Sequence, residues 1–392
     1  MPEGIHDLVI VGAGPAGAAA TITARRLAPD ADIVVVDRAA FPRDKACGDA
    51  LSIDAVAELA RLGATHAVDG FAPVERIRLR SPGGREVAAR PPAAGYVVPR
   101  RILDDRLARA ARSAASRWVH AGVRGVELHD HAVRVVTTDG PLWAATVIGT
   151  DGANSVVGRS TLDGARTARH TGVAIRAYAP APAGPAEMLL VWEQVDGLAY
   201  AWSFPIDATS HNVGYGVFSG LGRPPRRALV ERMVALLPNG AAADPATVRG
   251  HRLPLSSGGV HLGGDRVLLA GDAAALVNPI TGEGIYYALL SGRLAAQAAA
   301  RSPDHALAGY RVLVQTELGA HIRSTRCLAR LARVGSSLDH LVQAAAASPS
   351  TSDLLADLAF GKGALTPASL RTIGAGLWRS ARRSGDAARS RS

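Results

Sequence analysis

The chain is predicted to be α/β, with a parallel sheet of βαβ type interrupted by antiparallel strands and followed by C-terminal helices. Three observations carry this reading. The apolar run HDLVIVG leads through a glycine-rich turn and a helix-forming stretch into a second apolar run, ADIVVVDR. From about residue 170 to 255, short strand patterns punctuated by Pro and Gly dominate. DRVLLAGDAAALV then restores the buried-strand pattern and opens a series of helix patterns. Short β-branched apolar runs suit strands covered on both faces, as in a parallel sheet.

The first strand, turn, helix and strand form one βαβ unit. Its turn reads G-A-G-P-A-G, with Gly12, Gly14 and Gly17, and Asp37 follows Gly17 by twenty residues. Gly12 permits a tight turn, Gly14 lets a pyrophosphate approach the backbone, and Gly17 lets the helix close on the strand. The unpaired N–H groups of the helix start face the phosphates, and Asp37 can accept from a ribose hydroxyl. Next, VERIRLRSPGGREVAAR at 74–90 alternates around a Ser-Pro-Gly-Gly turn and reads as a hairpin. A helix is expected at about 99–116, turns near 130 and 139, and a second helix near 225–237.

Two further strand ends carry polar signatures. ATVIGTDGANS runs into Asp151-Gly152, with Ser155 and Arg159 after it. LLAGDAAALVNPITGEGIYYALLSG places Asp272 after a buried strand, then Asn278-Pro279, then Gly282-Glu283-Gly284 at a helix start. An acid at a strand end suits a polyol such as a ribityl chain. A glycine-lined helix start suits the edge of a flat, electron-rich ring whose charge on reduction the helix dipole stabilises. FAD is therefore favoured over NAD as the resident dinucleotide.

Composition excludes several other classes. Of 392 residues 48% are apolar and 20% charged, enough for a large folded interior. Cys47 and Cys327 are the only cysteines, so neither a disulfide framework nor a thiolate zinc site is expected. His129 and His131 share a hairpin without a third ligand, and no metal is expected. The opening MPEGIHDLVIVGAG lacks a basic region followed by an apolar one, and no stretch of about 18 uncharged apolar residues occurs. A cytoplasmic protein is expected. The net charge of +10 is concentrated at the end, where residues 366–392 hold Arg371, Arg379, Arg382, Arg383, Arg389 and Arg391 against Asp386. With Leu370, Ile373, Leu377 and Trp378 at helical spacing, this tail reads either as a solvated terminus or as a peripheral contact with an anionic inner membrane face. No nucleic-acid-binding motif accompanies the charge.

The order of the three signatures resembles the Rossmann-like FAD-binding fold of the p-hydroxybenzoate hydroxylase superfamily. Within it, FPRDKACGDAL, AYAWSFP…NVGYG and GDAAALVNPITGEGIYYA resemble the geranylgeranyl reductase family, flavoenzymes that saturate isoprenoid double bonds. The resemblance spans residue 6 to about 300. It implies a discontinuous FAD-binding domain (1–72, 98–168 and 256–300), a β-sheet substrate domain (73–97 and 169–255), and C-terminal helices with a basic tail (301–392). The expected cofactor-binding residues are Gly12, Gly14, Ala16, Gly17, Asp37, Arg38, Cys47, Gly48, Arg100, Asp151, Gly271, Asp272, Pro279, Gly282, Gly284 and Ile285. Arg100 falls where the family has an FAD-contacting arginine.

The resemblance also implies that the Cys47 loop lies beside the flavin and faces the substrate. Cys47 then reads as a catalytic wall residue or as a small residue that merely fits. Tyr200, Trp202 and Phe204 alternate along a strand and share one face. They read as an aromatic core ladder or as the lining of an apolar substrate cavity, with Tyr200 and Trp202 as catalytic candidates. The expected reaction is hydride transfer from reduced flavin to a prenyl double bond. NAD(P)H or another external donor is expected to reload the flavin, since one dinucleotide fingerprint is present. Hydroxylation or epoxidation is the alternative. Halogenation is weaker, because the corresponding strand reads Tyr-Ala-Trp-Ser-Phe-Pro and Lys45 and Lys362 are the only lysines.

Overall fold

The structure is a computed structural model that describes residues 4–90, 94–161, 171–195, 197–218, 224–333 and 337–375. β1 (Ile5–Val11) and β2 (Ile33–Asp37) pair in parallel around α1 (Pro15–Leu27). Pro15 opens α1, where its missing N–H would have had no partner in any case. A Cβ on Gly17 would collide with the Gly12 carbonyl and come within 2.8 Å of Thr150 Oγ1, so only glycine lets α1 pack on the turn.

The chain continues through β3 (Ala50–Leu51), α2 (Ile53–Arg61), the hairpin β4 (Ile77–Arg80) and β5 (Glu86–Ala89), and β6 (Tyr96–Val97), which pairs with β3. Ser52 caps α2 by accepting from the Ala55 N–H. α3 (Arg100–Ala114) occupies the expected helical stretch and leads to β7 (Arg117–His120), β8 (Val123–Leu128), β9 (Val133–Thr137) and β10 (Gly140–Gly149). After α4 (Val156–Thr161) come β11 (Thr171–Pro180), β12 (Met188–Val195), β13 (Gly197–Pro205) and β14 (Ser210–Val217). α5 (Arg226–Leu236) and β15 (Arg249–Pro254) complete this antiparallel region.

β16 (Gly263–Gly264) and β17 (Val267–Leu269) return to the first sheet. The helices α6 (Ile285–Arg301), α7 (Ala306–Leu331), α8 (Ser337–Ala347) and α9 (Pro349–Phe360) follow.

Among the described residues one sheet has the order β16-β17-β10-β1-β2-β7, with β9 and β8 added antiparallel beside β10. The other has the order β15-β11-β14-β13-β12-β4-β5. The largest apolar core lies on the first sheet, where Val9, Ile10, Val34 and Val35 are fully buried beside Leu289 and Leu290 of α6. Near the end, Ile373 is buried but Leu370 is 57% exposed, so the predicted apolar stripe of the tail is split. Leu377, Trp378 and Arg379, Arg382, Arg383, Arg389 and Arg391 lie outside the described residues. No helix among the described residues is long and apolar enough to cross a membrane.

Candidate active site

A cavity of about 880 Å³ extends from the strand-end turns of the first sheet to the aromatic face of the second. Gly12, with φ +100°, and Gly14 and Ala16 form one end. The carboxylate of Asp37 accepts from Ala13 N–H at 2.7 Å and from Ala39 N–H at 2.7 Å, which ties the glycine turn to the end of β2. Each oxygen keeps a further lone pair for a ligand hydroxyl. Arg38 and Asp151 also line this end. Asp151 is engaged in capping α4, accepting from Ser155 Oγ at 2.5 Å and Val156 N–H at 2.6 Å.

The opposite wall is Tyr200, Trp202 and Phe204 on β13, with Phe218 just beyond β14. The Tyr200 and Phe218 rings stack with centroids 4.9 Å apart. These aromatics also belong to a buried apolar cluster with Leu190 and Val277. Core ladder and cavity lining are thus one surface seen from two sides. The Tyr200 hydroxyl donates to the Thr281 carbonyl, and Trp202 Nε1–H donates to Asn212 Oδ1 at 2.9 Å.

Between the two walls runs the loop that carries Cys47 and Gly48, held from several elements. Arg176 on β11 pairs with Asp44, and Lys45 Nζ lies 3.0 Å from Asp272 Oδ2. Asn212 on β14 donates to the Cys47 carbonyl at 2.8 Å and to Asp49 Oδ2 at 2.7 Å. Asp49 is fully buried with φ +62° and also accepts from Arg100 N–H at 3.1 Å and Tyr178 OH at 3.1 Å. Arg100 lines the cavity and forks onto Asp104 at 2.6 and 2.8 Å, and Arg43 reaches the same aspartate at 3.2 Å.

Burial sets the protonation states here. It pushes the Cys47 thiol up, against the smaller opposing pull of Arg100. It raises Asp49 to about 6, opposed by the Asn212 and Arg100 hydrogen bonds. Burial would also raise Asp272, but Lys45 and His251 together hold it well below the usual carboxylate range. Glu283 is raised by burial to about 8.

Most expected site residues come together at this cavity: Gly282, Gly284 and Ile285 at the start of α6 join those already placed. Three do not line it. Gly17 serves the contact of α1 with the turn. Gly271 has φ +61° and packs against Ala16 and Ala288. Pro279 is buried inside the turn before α6. Sequence reasoning missed Asn212, Arg176, Phe218 and His251. Asn212 lay within the quoted NVGYG motif, but nothing local singled it out.

The donor set fits FAD. The Gly12–Gly14 turn keeps side chains out of the space before the α1 N-terminus, Asp37 retains acceptor capacity, and a glycine-flanked helix start faces the aromatic wall.

No family model matches the chain. The chain is 38% identical over 313 residues to a menaquinone reductase of Mycolicibacterium smegmatis, covering 74% of this chain and 75% of that protein. It is 30% identical over 315 residues to digeranylgeranylglycerophospholipid reductase 1 of Methanopyrus kandleri, covering 75% and 80%. In fold it resembles a geranylgeranyl bacteriochlorophyll reductase-like protein of Thermoplasma acidophilum, with TM-score 0.79 and 20% identity over 97% of this chain and 99% of that one. A flavin-dependent brominase has TM-score 0.68 at 18% identity, covering 87% and 93%. The chain belongs to the geranylgeranyl reductase family of FAD-dependent oxidoreductases.

Proposed function

We propose that the enzyme reduces a carbon–carbon double bond in the prenyl chain of an apolar lipid or quinone. The observation that carries this reading is the continuity of the cavity. One space joins the Gly12–Gly14 turn to a wall of Ile77, Met188, Leu190, Tyr200, Trp202, Phe218 and Leu253. A prenyl chain offers only apolar surface, and such a wall takes it up without leaving polar groups unpaired. The relatives' names support the same chemistry, since menaquinone and digeranylgeranylglycerophospholipid both carry prenyl chains.

Bound FAD, once reduced, supplies hydride to one carbon of the double bond. The chain's own residues hold and orient. The Gly12–Gly14 turn and the α1 N-terminus would take the pyrophosphate, Asp37 the ribose, and Asp272 the ribityl chain. The start of α6 would face the ring edge. Cys47 and Gly48, clamped by Asn212, and the aromatic wall would fix the double bond in the cavity and exclude water. A nicotinamide dinucleotide or a redox partner would supply the electrons from outside. The basic tail would add an electrostatic contact with an anionic membrane face.

The rival reading is oxygenation, which neighbours such as the brominase make worth testing. The deciding experiment is anaerobic reduction of the protein, incubation with prenyl substrates, and weighing of the products. A gain of two hydrogens supports the reductase. A gain of one oxygen, in air only, replaces it with a monooxygenase.

A further inference from the structure

We infer that Glu283 is a proton-carrying catalytic acid: it holds the proton that the reduction consumes and delivers it to the carbon that does not receive hydride. This inference rests on the double-bond reduction proposed above. Glu283 stands on the cavity wall between Gly282 and Gly284, immediately before α6. Both carboxyl oxygens are buried, and neither makes a hydrogen bond of acceptable geometry among the described residues. A buried, unpartnered carboxylate is too costly to keep unless the group is neutral or has a use.

The surroundings favour the neutral form. Burial is the dominant cause; the Ser52 hydroxyl and N–H at the start of α2 oppose it, and the charge of Asp54 adds to it, with Glu58 further along that helix. Tyr286 and Tyr287 approach from α6 and Tyr200 from β13, and Cys47 also lies near Tyr200. No cation stands among the groups that act on Glu283. Burial keeps its proton in place to about pH 8, near the range where a general acid is most effective.

Other cavity acids are already engaged. Asp37 accepts from the backbone, Asp151 caps α4, Asp44 pairs with Arg176, and Asp272 pairs with Lys45. The Tyr200 hydroxyl is spent on Thr281. The chain neighbours of Glu283 are both glycines, with Phe218 and the Tyr200 hydroxyl packed beside Gly282 and Asp272 beside Gly284. In the step itself, FAD, when bound and reduced, would supply the two electrons as hydride to the first carbon. The Glu283 O–H bond breaks as a C–H bond forms at the second. The resulting carboxylate then regains its proton from solvent.

Glu283→Gln keeps the size and the uncharged state, so folding and FAD retention should match wild type. Infrared difference spectra, wild type minus Glu283→Gln, should show a protonated-carboxyl band at pH 7 that disappears with a midpoint near 8. In single turnovers of the dithionite-reduced protein with geranylgeraniol, the variant should be about 100-fold slower. Glu283→Asp should recover part of that loss. A missing band at pH 7, or a Glu283→Gln rate equal to wild type, overturns the assignment. A wild type that shows the band yet reduces no prenol overturns the substrate reading instead.

Discussion

Lys45 Nζ lies 3.0 Å from Asp272 Oδ2, so the loop that carries Cys47 is tied to the turn before α6 across 227 residues of chain. Each partner is largely shielded, with 23% and 12% of its side chain exposed. The acid expected to meet the cofactor is therefore already ionised and already oriented, and the same contact sets where Cys47 stands.

Asp272→Ala should lower FAD retention, read as flavin absorbance per protein after gel filtration. Lys45→Met should keep most of the flavin while lowering the thermal midpoint, because a shielded carboxylate loses its counter-ion, a loss of about 2 kcal/mol. Unchanged flavin content in Asp272→Ala would show that this acid does not hold the cofactor.

The glycine turn separates folding from binding. Gly17→Ala should yield misfolded or insoluble protein, since the new methyl group would meet the backbone of Gly12. Gly14→Ala would meet only the tip of Arg43, at 3.3 Å, a flexible end that can move. It should fold with a circular dichroism spectrum like wild type, yet bind FAD more weakly by equilibrium dialysis.

Asn212→Ala should destabilise the fold by about 3 kcal/mol in denaturant titrations. It removes a partner from Trp202 Nε1, the Cys47 carbonyl and Asp49 at once, all in buried surroundings. Asn212→Asp would set a second carboxylate beside Asp49 in place of a hydrogen bond that favours its charged form, so its stability should fall more steeply with rising pH than that of wild type.

Cys47→Ala should retain FAD and stability while slowing turnover or changing the product pattern, since the thiol lines the cavity. Loss of flavin without a separate effect on turnover would assign the thiol to cofactor packing.

Glu283 makes stability pH-dependent in a defined direction. Its folded pKa of about 8 lies above the usual 4.5, so the folded state binds the extra proton. The stability it contributes is complete below about 4.5 and is lost as pH rises to about 8, at about 1.4 kcal/mol per unit of displacement. The thermal midpoint of wild type should fall relative to Glu283→Gln across that window, and parallel curves would show that Glu283 ionises freely.

What could be read from the chain alone depends on the range of the interaction. Gly12, Gly14, Gly17 and Asp37 were legible because a turn, a helix start and the next strand end lie within about thirty residues, so their spacing is a local geometric constraint. The shared face of Tyr200, Trp202 and Phe204 follows from the two-residue period of a strand in the same way. Only the tertiary structure decided that Asn212 supports Trp202 and the Cys47 loop together, that Phe218 completes the aromatic wall, and that Asp44 and Lys45 reach Arg176 and Asp272. These pairs come from distant segments, and their contact depends on how the two sheets are brought together. An isolated glutamate in Gly282-Glu283-Gly284 looks like any surface acid in sequence, because burial is a property of the whole fold. It became a candidate catalyst only when packing removed its water and supplied no cation in return.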